Sequence, residues 1–306
     1  MIDPDNLVAT QESISATGHS DSFWDAYQPG FRFSEHEPGS AEFFAEVERH
    51  RYQLEPHIPE LAQFPRWEGR DVLDVGCGIA TDGIQFARHG ARYTGVDLSM
   101  TALDLARRRF ELEGLPAEVL AAPANDLPFG DESFDLVYSH GVIHHMEDTR
   151  GTVQEFHRIL RPGGSALVMV YHRNSVNYRL NIMVLRRLLA ATLLVPGMPR
   201  LVADLTGESP SVLQGHRALL REHGLRYLTD RKLFLSNNTD GPGNPLSKAY
   251  TGEEVRKLFR DFPTVRTCAR YLNLRLLPAG RRLEKSRLGN WLGHRAGWHL
   301  YVLAVK

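Results

Sequence analysis

The chain has 306 residues, 42% of them hydrophobic and 24% charged, with a formal net charge of -1 at neutral pH. Such a length buries a full core, and such a composition is that of an ordinary globular protein without the basic footprint of nucleic-acid binding. The two cysteines, Cys77 and Cys268, have no metal-type spacing, which excludes a disulfide framework and points to free thiols in a reducing, cytoplasmic compartment.

The opening MIDPDNLVATQESISATGHS is polar and acidic, with neither a basic start nor an apolar core, so it reads as a mobile tail rather than a secretory signal. Phe23, Trp24 and Tyr27 precede a helical stretch from Gly39 to Leu54. Trp24 and Tyr27 are candidates to contact a substrate, with ordinary packing as the equal alternative. From Asp71 onward, short apolar runs alternate with helical patterns, which argues for a parallel sheet covered by helices. Strands are expected at Val72–Val75, Arg92–Val96, Glu118–Ala121, Phe134–Ser139 and Ala166–Tyr171. Helices are expected at Thr81–His89, Thr101–Leu112 and Thr149–Leu160, the last stopped by Pro162-Gly163-Gly164.

After Tyr171 the rhythm fails. Arg173 to Lys248 has helical patches and the turn-rich tract SNNTDGPGNPLSK, without another strand–helix unit, and is read as an insertion. Its most apolar part, Ile182 to Pro199, carries Arg186 and Arg187 and is cut by Pro196, short of the roughly 20 residues of a membrane span. No integral membrane segment is therefore expected. A helix at Thr251–Phe262, opened by Thr251 with Glu254 three places on, and strands at Val265–Leu272 and Trp298–Val305 complete the pattern. The expected fold is α/β: a doubly wound Rossmann-like seven-stranded sheet with a helical insertion after the fifth strand. Residues 1–69 form the tail and cap, 70–172 the cofactor-binding core, 173–250 the insertion that covers the substrate, and 251–306 the rest of the sheet.

The stretch DVLDVGCGIATDGIQFARHGARYTGVDLS carries the most chemistry. A dinucleotide loop requires G-x-G-x-x-G, yet the third position after Gly76 and Gly78 holds Thr81. What stands instead is Asp74-x-Gly76-x-Gly78-x-Ala80, followed by Asp97 at the end of the next strand. Two carboxylates at one crevice suit a ligand with a cation and a ribose better than one with a pyrophosphate.

VLDVGCGIA, GVDLS, FDLVYSHGVIHH and ILRPGG, in that order, resemble class I S-adenosylmethionine-dependent methyltransferases of the UbiE and type-11 group. The resemblance is close over Arg70 to Tyr171, extends in outline to Thr251–Lys306, and leaves the insertion uncovered. It implies S-adenosylmethionine as cofactor, with the Asp74–Ala80 loop at its methionine end and Asp97, followed by Leu98, accepting hydrogen bonds from the ribose. Two positions depart from the family pattern. Ala80 stands where a third glycine is usual, and Pro123-Ala124-Asn125-Asp126 replaces an Asp-Ala pair, so either Asn125 or Asp126 takes over the adenine amino group or the Ala124 backbone and apolar contacts hold the adenine, with Asn125 the favoured partner. Ser139 and His140 complete the expected cofactor set.

Methyl transfer is an in-line displacement that needs alignment, plus a base if the acceptor carries a proton. His144 and His145 are the candidate bases, with packing or capping of the loop as the bland alternative. A metal site from His140, His144 and Asp148 has no supporting motif, and no metal is expected. Beyond the fifth strand, Tyr171 and His172 are candidates to orient a nucleophile. Arg173, Tyr178 and Arg179 are candidates to bind the substrate, and Asn237–Lys248 is a candidate lid. The leading expectation is methylation of a small molecule. The alternatives are a cofactor-binding protein without turnover and a membrane-surface enzyme acting on a lipid or quinone, the latter suggested by Ile182–Val195.

Overall fold

The computed structural model describes residues 23–25, 30–274, 282–283 and 286–306; the expected N-terminal tail and Tyr27 lie outside them. Seven strands form one mixed sheet: β1 (Asp71–Val75), β2 (Arg92–Asp97), β3 (Glu118–Ala121), β4 (Phe134–His140), β5 (Leu160–Tyr171), β6 (Thr264–Arg270) and β7 (His299–Val305). Their order is β3-β2-β1-β4-β5-β7-β6, and the β3·β2, β2·β1, β1·β4 and β4·β5 pairs are parallel. Val72, Leu73, Leu136 and Val137 are fully buried, as expected for central parallel strands whose two faces are both covered.

The helices of this region are α1 (Ala41–Leu54), α2 (Ile58–Ala62), α3 (Gly83–Arg88), α4 (Met100–Glu113) and α5 (Thr149–Ile159). The Ser99 hydroxyl accepts from the Ala102 N–H to open α4, and Gly114 closes it at φ 62°. Asp148 caps α5 by accepting from the Gly151 N–H at 2.8 Å.

Two boundaries differ from the sequence expectation for local reasons. α3 begins at Gly83 rather than Thr81, because Ala80 takes φ 54° and its N–H donates to the Cys77 carbonyl at 2.9 Å, finishing a turn first. β5 begins at Leu160 rather than Ala166. The Pro-Gly-Gly stretch that reads as a stop is instead paired, Gly163 N–H to the Lys306 carbonyl at 2.8 Å and Lys306 N–H to the Gly164 carbonyl at 3.0 Å. A Cβ on Gly164 would lie 2.9 Å from the Arg161 carbonyl oxygen, so this pairing keeps a glycine there.

The chain divides into two compact units. The first comprises the chain up to Val170 together with residues 253–267 and 301–306, and the second comprises residues 171–252 and 268–300. That unit is mainly helical: a π-helical stretch at Asn177–Arg186 runs into α6 (Arg187–Thr192), followed by α7 (Met198–Thr206), α8 (Pro210–His223), α9 (Leu225–Thr229) and α10 (Arg231–Thr239). Helix α11 (Gly252–Leu258) is shorter than expected, and α12 is Arg287–Ala296.

The first four residues of the SNNTDGPGNPLSK tract, Ser236–Thr239, close α10. The remainder is stitched back onto that helix, with Gly243 N–H donating to Asn237 Oδ1 at 2.7 Å and Ser247 N–H to Ser236 Oγ at 2.8 Å. Asn237, Asn238 and Asn244 are all buried, so the polar groups that suggested a lid satisfy backbone donors and acceptors within the unit.

Candidate cofactor cleft

The first unit has a cleft of about 180 Å³ at the carboxyl ends of β1, β2 and β4, the place where open α/β sheets bind ligands. Its floor is the loop that leaves β1. Gly76 and Cys77 donate their N–H groups to the Val96 carbonyl at 2.8 and 3.0 Å, which folds the loop onto β2. Gly76 has φ 74°, and a Cβ there would meet Val142 Cγ2 at 2.2 Å. Gly78 has φ 53°, and a Cβ there would meet nothing within 4 Å, because it would project into open space. Ala80 also sits in the left-handed region, at φ 54°, so the family's third glycine position keeps its glycine-like backbone at a cost of about 1–2 kcal/mol.

The two glycines give a paired expectation. Gly76→Ala loses cofactor binding together with fold stability, since Val142 has to move. Gly78→Ala folds with about 1 kcal/mol of backbone strain and loses cofactor affinity through the methyl group placed in the cleft. Thermal melts and calorimetry on both variants distinguish the two, and equal behaviour would refute this account of the loop.

Asp97 is the carboxylate of the cleft. Its Oδ2 accepts from the Gly78 N–H at 2.8 Å and its Oδ1 from the Ser99 N–H at 2.9 Å, which fixes the group between the two ligand-facing loops. Burial raises its pKa above the ordinary value, while these backbone donors pull the other way. Around it stand Val75, Leu98, Ala102, Ala122, Ala124, Val142 and Met146, and no lysine or arginine lines the cleft among the described residues. A pyrophosphate finds no cationic partner here, whereas a cation beside apolar walls is well accommodated.

Gly76, Gly78, Asp97, Leu98, Ala124, His140, His145 and Trp24 are brought together in this lining. Other sequence candidates lie elsewhere. Asp74 is buried beneath the loop, where its Oδ2 accepts from the Tyr93 hydroxyl at 3.1 Å. Burial, then the neighbouring Asp82 charge, push its pKa well above the ordinary aspartate value, and the side chain lies outside the cleft lining. Asn125 is exposed and outside the lining, because the turn closed by Asp126 N–H to the Pro123 carbonyl carries it outward. Ser139 donates to the Val75 carbonyl at 3.0 Å and so ties β4 to β1.

The histidines separate by depth. His144 is fully buried in the turn Ile143–His145, its ring 4.2 Å from that of His145, and it does not line the cleft. His145 does, with the Trp24 ring set edge-on at 4.9 Å. His140 ends β4 in the cleft wall. Its Nε2 lies 2.8 Å from the Tyr301 hydroxyl and 3.4 Å from Glu55 Oε2, and that hydroxyl lies 3.0 Å from His57 Nε2.

Beneath the loop, the buried Asp82 carboxylate accepts from Arg51 Nε and NH2 at 3.2 and 2.6 Å, from Tyr52 at 3.1 Å and from Tyr138 at 2.8 Å. Neither this cluster nor the apolar contribution of Val142 and Met146 is foreseen from the sequence. The one signal for the latter is their position just after the end of β4.

Tyr171, His172, Arg173, Tyr178 and Arg179 belong to the second unit. Tyr171 stacks on Trp298 at 4.3 Å and donates to Asp240 at 2.8 Å. His172 Nδ1 lies 2.9 Å from the Gly297 carbonyl, and burial lowers its pKa, keeping it neutral. Arg173 donates to the Ala249 carbonyl, Arg179 to Asn174, and Arg231 to the Tyr178 hydroxyl at 2.6 Å. These side chains tie the unit's own segments together.

Residues 73–168 match the methyltransferase domain family. Over 98 residues, 31% of this chain and 44% of that protein, the chain is 39% identical to the O-methyltransferase rstn1 of Aspergillus nomiae. It is 37% identical over 119 residues, 38% of this chain and 42% of the other, to a fatty-acid O-methyltransferase of Mycolicibacterium smegmatis. The chain spans 36 to 44% of the length of the curated relatives it matches. Among solved structures, magnesium protoporphyrin IX methyltransferase of Synechocystis with bound S-adenosylhomocysteine shares the fold at a TM-score of 0.51 and 13% identity, covering 96% of this chain and 99% of the other. The lining offers what such a cofactor requires: a carboxylate acceptor in Asp97, open space over Gly78, apolar walls and, among the described residues, no lysine or arginine. Through residues 73–168 the chain carries a class I S-adenosylmethionine-dependent methyltransferase domain of the type-11 group.

Proposed function

We propose that the chain is an enzyme that methylates a small organic molecule or lipid at an oxygen that carries a proton. The observation that carries this reading is the Asp97 carboxylate, held by two backbone N–H groups in an apolar cleft that no lysine or arginine lines among the described residues. The kinship with an O-methyltransferase and a fatty-acid O-methyltransferase supports the acceptor class. Neither cysteine is disulfide-bonded, which supports a reducing compartment.

When bound, S-adenosylmethionine supplies an electrophilic methyl group, so the acceptor oxygen forms the new bond as the S–CH3 bond breaks. Asp97 binds the ribose, and Val142, Ala122 and Ala124 exclude water from the adenine side. His140 takes the acceptor's proton, with Tyr301 and Glu55 fixing its ring. His145 and Trp24 form the acceptor side of the cleft. Tyr171, His172, Arg173, Tyr178 and Arg179 shape the second unit, from which substrate selection is sought because the family match ends before them.

The direct test supplies a methyl-labelled donor with fatty acids, phenols and whole lipid extract. Label in an ester or ether product is expected, and tight S-adenosylhomocysteine binding without label transfer would favour the non-catalytic alternative. With an acceptor in hand, His140→Ala lowers kcat and kcat/KM together by about a hundredfold or more, whereas His144→Ala acts on stability. A pH–rate profile changed by His144→Ala and unchanged by His140→Ala would reverse the assignment.

A further inference from the structure

In the second unit, α7 and α8 border a groove of about 560 Å³ whose lining includes Arg200 and Asp204 from α7 and Gln214, Arg217 and Arg221 from α8. Arg217 and Arg221 stand one helical turn apart. None of the three arginines forms an ion pair or hydrogen bond with a described residue, and Arg217 Nε is buried without an acceptor. Asp204, the single acid of the lining, forms no ion pair among the described residues either. Guanidinium groups gathered this way repel one another, and their planar forks match the oxygens of phosphate or carboxylate.

The same stretch of chain exposes an unusual amount of aliphatic surface. Leu201 and Leu205 on α7 are 48% and 68% exposed, and Leu194 and Val195 just before it are about half exposed. Leu180, Val184 and Leu188 follow four-residue spacing on the preceding helical stretch and are also exposed. Residues 176–203 contain no aspartate or glutamate. Aliphatic side chains beside unpaired arginines, with Asp204 the one acid of α7, match the mixed character of the lipid headgroup layer, where arginine stems pack with acyl chains and their heads stay at phosphate depth.

We propose that α7, the groove it forms with α8 and the helical stretch before α7 are a peripheral docking surface for an anionic phospholipid bilayer. The arginines bind lipid phosphates, and the leucines enter the interfacial layer. No helix among the described residues is long and apolar enough to cross a membrane, so the contact is with the surface of the bilayer. The proposal does not depend on the methylation reading, and its test makes no use of turnover.

Full-length protein is sedimented with vesicles of phosphatidylcholine alone and with vesicles that also contain phosphatidylglycerol. Partition into the anionic vesicles that weakens with added salt is expected. Arg200→Ala or Arg221→Ala lowers that partition about fivefold each. Leu205→Ser lowers it about tenfold at constant charge, and Arg217→Lys, which keeps the charge, retains most of it. Arg200, Arg221 and Leu205 are exposed, so these variants keep the parent's circular dichroism and S-adenosylhomocysteine affinity. Equal partition into both vesicle types, or into neither, would overturn the proposal. Binding of inorganic phosphate without vesicle binding would assign the groove to a soluble anion, and concentration-dependent dimerisation abolished by Leu205→Ser, again without vesicle binding, would assign the apolar row to a second copy of the chain.

Discussion

Asp97→Ala weakens binding of S-adenosylmethionine and S-adenosylhomocysteine by about 1–3 kcal/mol, the cost of leaving buried hydrogen-bonding groups without a partner. Two effects add. The ribose loses its acceptor, and the N–H groups of Gly78 and Ser99, which the carboxylate holds at 2.8 and 2.9 Å, lose theirs. Asp97→Asn is no rescue, because its NH2 would face one of those two N–H groups. The pH dependence has a definite sign. The ionised carboxylate is the binding form and burial raises its pKa, so affinity is constant at neutral pH and falls in acid, earlier than an exposed aspartate would dictate. Calorimetry across the acid range measures both effects. Unchanged affinity in Asp97→Ala, or tight binding of a nicotinamide dinucleotide, would overturn the assignment of the cleft.

Asp82→Ala costs about 3–5 kcal/mol of stability, because it leaves the largely buried Arg51 guanidinium with only Glu55, 3.7 Å away, and takes the buried acceptor from Tyr138. Arg51, Tyr52 and Tyr138 all donate to this carboxylate, so helix α1, the loop after β1 and strand β4 are fastened at one point. Burial alone would raise the Asp82 pKa, but the Arg51 charge and these hydrogen bonds overcome it and hold the value below normal. A folded-state pKa below the unfolded one means that the contribution is present above the ordinary aspartate value and is lost as pH falls through the folded-state value. Thermal melts should show Tm lower by on the order of ten degrees in Asp82→Ala, with a shallower loss of stability on acidification than in the parent. A melt indistinguishable from the parent's at neutral pH would show that the cluster is not the fastening described.

What could be read from the sequence follows the range of the forces involved. The strands of the core are legible because burial on both faces forces apolar runs, as in Val72-Leu73 and Leu136–Tyr138. Gly76, Gly78 and Asp97 are legible because a tight loop demands glycine and a buried acid beside a loop demands donors. The start of β5 is not legible, since Pro162-Gly163-Gly164 is a stop signal locally and becomes strand only through its pairing with Lys306. Which histidine faces the cleft is equally hidden: His140, His144 and His145 lie within six residues, and only the turn at Ile143–His145 turns His144 inward. The partnership of Asp82 with Arg51 joins positions 31 residues apart, and no local pattern announces it. That Asp74 lies beneath the loop and not in the cleft lining is hidden for a related reason, since its contact with Tyr93 joins positions on two different strands.

The strand order also bears on how the chain is made. β6 precedes β7 in sequence yet lies outside it, so β7 must slip between β5 and β6. While a ribosome is still translating β7, the flank of β5 around Gly163 and Gly164 has no neighbour, and β6 has nothing to pair with. Closure of the sheet therefore waits until β7 has emerged, however early β1 to β4 settle on one another. During that interval the open flank of β5 is the surface that a nascent-chain chaperone has to shield from edge-to-edge pairing with another chain.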